Sequence, residues 1–161
     1  MENYEISREK AQKNIKIADH MLSVTYPLIK DTKLLLAIIE NIFLAMTNAM
    51  ASVLYFERMY KRIPPFQDTF ESKLNIFREK LVHKYNIDKG LVADMQEIKT
   101  IILEHKQSQV EFKRKDRFVI CSDSYKLRTL GLNDIKNYLS KAKLFIEEMD
   151  NILKKNEGIS K

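Results

Sequence analysis

The chain has 161 residues, of which 45% are hydrophobic and 31% charged, with a formal net charge of +6. That length suits a single domain, residues 1–161, with a real core, and one cysteine excludes an internal disulfide or a multi-cysteine metal site. The basic excess is mild; it permits RNA, DNA or an acidic partner without demanding one.

Gly and Pro number three each, which favours long helices and few turns. The polar start, M-E-N-Y-E-I-S-R-E-K, lacks the apolar centre of a signal peptide. With a lone cysteine it reads as a cytoplasmic chain. The most apolar run, Leu34–Leu54, is interrupted by Glu40, Asn41, Thr47 and Asn48. Those groups are costly in lipid, so the run reads as the buried centre of a bundle and not as a membrane span.

In chain order, Ser7 is the expected cap of a first helix, with Ala11, Ile15, Ala18, Leu22 and Thr25 at helical spacing. His20 falls on the outer side, and Pro27 ends or kinks the helix. A second helix is predicted from about Asp31 to Arg62, with a basic end, E-R-M-Y-K-R, that suits a helix C-terminus. Pro64-Pro65 then break the chain. Phe66, Phe70, Leu74, Phe77 and Leu81 form the stripe of a third helix, closed by Asn86-Ile87-Asp88. Leu91, Met95, Ile98, Ile102 and His105 form the inner face of a fourth, where His105 reads as a hydrogen-bonded histidine at a packing edge.

From Gln109 to Tyr125 the period changes to two, which predicts a β-hairpin around the charged turn Arg114-Lys115-Asp116. Between positions 105 and 130 seven Lys/Arg stand against three Asp/Glu, so the basic character concentrates here. Lys113, Arg114, Lys115 and Arg117 are the candidate RNA-binding residues, weighed evenly against a plain solvated tip. Leu132, Ile135, Leu139, Ala142, Ile146, Met149 and Leu153 give a closing helix. The expected fold is an all-α antiparallel bundle of four helices plus a C-terminal helix, with a hairpin insertion at 109–125.

Arg78, His83 and Tyr85 are the one close grouping of arginine, histidine and tyrosine. Taking Phe77 as zero on an ideal wheel, Arg78, His83 and Tyr85 fall at roughly 100°, 240° and 80°. Arg78 and His83 thus point away from their own core without converging. Two copies about a two-fold axis could gather two arginines and two histidines in one cleft. There a neutral His83 could take a proton from an RNA 2′-hydroxyl, Arg78 could hold the phosphate, and Tyr85 could orient either group. Spacing alone favours an ordinary solvated helix face over this site.

The segment Phe77-Arg78-Glu79-Lys80-Leu81-Val82-His83-Lys84-Tyr85 resembles the R-x4-H-x-Y signature of HEPN-domain proteins. The resemblance covers about a dozen residues. It implies a helical bundle that dimerises and cleaves RNA without metal, through Arg78 and His83, and needs no cofactor. In toxin–antitoxin members, it further implies, the residue matching Tyr85 accepts AMP from a nucleotidyltransferase partner. Two features depart from the family pattern: Glu79 follows the arginine, and the hairpin and last helix extend beyond the compact family core. They support an alternative, a non-catalytic module that binds a nucleotidyltransferase or another protein.

Other site classes have less support. Gly90, Gly131 and Gly158 are isolated, so no Gly-rich phosphate loop is read. His20, His83 and His105 lack metal-ligand spacing, and Cys121 reads as a small hydrophobe of a strand. Glu40, Asn48 and Glu57 on the long helix read as solvated or interhelical polar groups, with a supporting role for the arginine less favoured.

Overall fold

The computed structural model describes residues 2–107, 110–114, 117–121 and 127–160. Helix α1 spans Asn3–His20. Its start is fixed by a capping box in which Glu2 is the N-cap and Glu5 reaches back to the backbone N–H of Glu2 at 3.0 Å. Ser7, the expected cap, is instead a buried residue inside the helix. A glutamate does here what serine or threonine usually does at a helix start. His20 is exposed, as its wheel position requires.

Pro27 ends the helix by a defined route. Its ring would clash with the carbonyl four residues back, and the ladder widens to one π-helical stretch over Met21–Thr25 before the short helix α2, Tyr26–Ile29. Lys30, at φ 55°, closes it in the left-handed region.

Helix α3 runs Lys33–Met59, so it is about 40 Å long. Length and composition would let it cross a membrane. In the fold it is the hub: Leu35, Ile38, Ile39, Ile42, Met46, Met50 and Leu54 are at most 0% exposed. It packs most extensively against α1 and then against the last helix. Lys61, with φ 56°, turns the chain just past its end, a little before the expected stop at Arg62.

Thr69 caps helix α4, Phe70–Ile76, by accepting the backbone N–H of Ser72 at 3.2 Å. Phe66 therefore lies before the helix and stacks on Tyr55. Helix α5 is Lys89–Gln107, and Asp88 starts it by accepting the N–H of Gly90 at 2.8 Å. His105 is partly buried near its end.

Three strands follow: β1 Val110–Arg114, β2 Arg117–Cys121 and β3 Leu127–Gly131, antiparallel in the order β1-β2-β3. The expected hairpin is present in register, with Arg114 opposite Arg117 and Val110 opposite Cys121. The third strand corrects the expectation of a hairpin alone; its Leu127-Arg128-Thr129-Leu130-Gly131 is too short and mixed to show period two. Val119, Ile120 and Leu130 are buried. Arg128 fastens the sheet to α5 through Glu97 and Glu104, each at 2.5 Å.

Helix α6, Leu132–Ser160, closes an all-α bundle with this small sheet inserted. Ile135, Ala142, Phe145 and Leu153 are fully buried along it. Arg8 of α1 binds Asp150 at 2.6 Å and Glu157 at 2.9 Å, and Tyr4 donates to Glu157 at 3.0 Å, so the first and last helices are tied together.

Candidate functional site

The stretch carrying Arg78, His83 and Tyr85 is not a plain α-helix. After α4 the ladder widens into a π-helical turn over Phe77–Leu81, closed by the N–H of Val82 bonding the carbonyl of Phe77 at 3.0 Å. Phe77 and Leu81 are both 0% exposed, so the core holds both ends of the widened turn. Phe77 packs edge-on against Phe145 of α6, with ring centroids 6.1 Å apart. The chain then resumes α-type bonding, with Tyr85 N–H to the carbonyl of Leu81 at 3.0 Å, and ends at Asn86, φ 52°.

The widened turn changes the wheel. It holds one residue more than an α-turn, so every later position lags by about 100°. His83 moves from about 240° to about 140°, onto the flank that carries Arg78. Tyr85 moves from about 80° to about −20°, onto the edge of the apolar stripe. The ideal-helix expectation of Tyr85 beside Arg78 is corrected, since its hydroxyl reaches buried Glu57, and on the shifted wheel His83 falls nearer the Arg78 side.

Side-chain surroundings agree with this rotation. Arg78 and His83 are exposed. The Arg78 guanidinium donates to the Gln96 side-chain oxygen of α5 at 2.5 Å, which fixes where its planar fork sits. The His83 side chain makes no hydrogen bond among the described residues, and the residue is exposed. Glu79 is exposed beside Arg78 and has no ion-pair partner among the described residues; the adjacent Lys80 does not neutralise it.

Tyr85 belongs to a different cluster. It is half-buried, and its hydroxyl donates to Oε1 of Glu57. Glu57 is 0% exposed. Its other oxygen takes the Lys84 ammonium at 3.0 Å, and Arg62 stands 3.6 Å away. Arg62 also donates to the Asn156 side-chain oxygen at 3.2 Å. Burial, followed by the bond to Glu57 and its charge, pushes the Tyr85 hydroxyl up to about 12. A buried carboxylate thus anchors the turn that presents His83.

Glu57 is the residue whose weight the sequence conceals. Its neighbours one turn back, Val53 and Leu54, are buried, so the heptad-like spacing does place an acid on the core face. All three polar candidates of α3 behave as read: Glu57 bonds across to Lys84 and Tyr85, Glu40 is exposed, and Asn48 donates to Asn14 of α1 at 3.2 Å.

The candidate RNA-binding residues lie elsewhere. Lys113 pairs with Phe118 across β1 and β2, and Arg114 with Arg117. They flank the connection at 115–116, and Lys115 lies outside the described residues. Among the described residues no group of three His, Cys, Asp or Glu side chains is placed to hold a metal ion.

No protein-family model matches the chain, and no curated protein matches it.

Proposed function

We propose that this chain is a HEPN-like RNA-binding protein that cleaves RNA as a homodimer, without a metal ion, through Arg78 and His83. One observation supports the reading: Arg78 and His83 are both exposed on a stretch widened by the π-helical turn at Phe77–Leu81, which turns the wheel position of His83 towards that of Arg78. In this scheme neutral His83 takes the proton of a 2′-hydroxyl, and the oxygen attacks the adjacent phosphorus. The guanidinium of Arg78, steadied by Gln96, takes the charge that develops on the phosphoryl oxygens. A second copy of the same surface would supply the proton for the departing 5′-oxygen. The strand ends with Lys113, Arg114 and Arg117, together with Lys115, would hold flanking phosphates. A transfer of AMP to Tyr85 by a nucleotidyltransferase partner would require its hydroxyl to leave Glu57.

The test is cleavage of unstructured RNA in EDTA. His83→Ala should reduce the rate by about 100- to 10,000-fold, the usual contribution of a general base, with the oligomeric state unchanged. Equal rates in the parent and in His83→Ala end the catalytic reading.

A second reading has its own observation. Glu79 is exposed and unneutralised next to Arg78, and a free carboxylate there repels a phosphate. It supports a non-catalytic module that binds a nucleotidyltransferase or another protein. Absence of cleavage, combined with retention of such a partner on an affinity column, selects it.

A further inference from the structure

A second concave surface lies between the turn after Leu81, the end of α3 and the last turns of α6. It is a cleft of about 590 Å³ whose lining includes Arg62, Lys84, Tyr85, Glu148, Ile152 and Lys155. Neither Arg78 nor His83 belongs to it. We propose that this cleft binds a phosphomonoester with a flat, apolar body.

The volume falls within the range of small-molecule sites, roughly 300–1,000 Å³, and is far more than an inorganic ion needs. The charges select an anion. Buried Glu57 is the single carboxylate shared by Lys84 and Arg62, so two cations face one negative group. Glu148 stands at the lining as a second acid, so Arg62, Lys84 and Lys155 together still outnumber the carboxylates Glu57 and Glu148. Lys155 is exposed and has no ion-pair partner among the described residues. Its neighbours differ: Lys154 is paired with Asp150 at 3.0 Å, and Arg8 with Asp150 and Glu157. The cleft therefore keeps one cation uncommitted and two that share one acid.

Donor capacity favours phosphate. An ammonium has three donors and a guanidinium five, and the contacts named above use only a few of them. A phosphate dianion offers three acceptor oxygens to such an array. The walls suit an apolar body: the Tyr85 ring, over which the Lys84 ammonium sits 5.1 Å from the centroid, faces the same space as Ile152. Tyr85 is fixed there by its bond to Glu57, so the ring is presented in one orientation.

The experiment is calorimetric titration of the full chain with phenyl phosphate, with inorganic phosphate and phenol as comparisons. Phenyl phosphate should bind with a Kd on the order of 1 mM or tighter, and each comparison should bind at least about tenfold more weakly. Lys155→Gln, at an exposed position, should weaken phenyl phosphate about tenfold, while Lys154→Gln should leave it unchanged. His83→Ala should bind like the parent, which separates this site from the proposed nuclease. No binding of phenyl phosphate up to about 10 mM overturns the proposal. So does an equal effect of Lys155→Gln and Lys154→Gln, which would mean diffuse surface charge, or phenol binding as well as its phosphate ester.

Discussion

Removing one oxygen from Tyr85 tests the anchor beneath the candidate site. In Tyr85→Phe the ring stays, and the buried carboxylate of Glu57 loses the hydroxyl that donates to it. Lys84 at 3.0 Å and Arg62 at 3.6 Å remain, but their side chains are 44% and 32% exposed and share their charge with water. A hydrogen bond to a charged group contributes about 1.5–3 kcal/mol, and the surviving cations offset part of its loss, so a destabilisation of about 2 kcal/mol is expected. At about 2–4 °C per kcal/mol for a chain of this size, Tm should fall by roughly 4–8 °C. The comparison is Tyr55→Phe, whose hydroxyl donates at 3.3 Å to Asp68, a carboxylate 82% exposed. That change should stay within about 0.5 kcal/mol of the parent. Urea unfolding at neutral pH measures both, and a cycle with Glu57→Gln isolates the coupling. If the two tyrosine variants lose the same stability, Glu57 is not held through Tyr85 and the anchoring argument fails.

Tyr4 and Tyr85 both titrate near 12, raised by burial first and by Glu157 and Glu57 respectively. Each neutral phenol is favoured more by the folded chain than by the unfolded one. The stability this confers is complete below the ordinary tyrosine value of about 10 and is lost as pH climbs from 10 towards 12. Unfolding measured at steps across that window should show a decline that Tyr85→Phe partly removes. Arg128→Ala leaves Glu97 and Glu104, about two turns apart on α5, without their shared cation. It should destabilise by about 1–2 kcal/mol, with the earliest loss of amide-exchange protection in the sheet. Lys61 holds φ 56° just after α3. Lys61→Gly should therefore stabilise by about 0.5–1 kcal/mol, read from the urea midpoint at constant m-value.

The helices were legible because their apolar residues recur at three and four, and the same residues are the ones buried: Ile15, Ile39, Met95 and Leu139 among them. His20, Arg78 and His83 were legible as outward-facing for the same reason. Local chemistry was harder. An ideal wheel takes 100° per residue for granted, and nothing in F-R-E-K-L announces a turn with one residue too many. The packing of Phe77 against Phe145 of α6, with Leu81 buried in the same core, decides it, and that is tertiary information. Glu57 was legible as a polar candidate but its partners were not, because Lys84 and Tyr85 lie 27 and 28 positions away, beyond the reach of any local pattern. The strand Leu127–Gly131 was missed because its pairing with β2, not its own sequence, makes it a strand.

The bond between Arg8 and Asp150 joins residues 142 positions apart. During synthesis at about 5–20 residues per second, something on the order of 10 s separates the appearance of the two partners. Helix α1 can meet α3 early, yet its Arg8 and Tyr4 must wait for α6 to leave the ribosome. A nascent chain stalled before Asp150 would therefore lack the clasp, and protease should nick it first within α1.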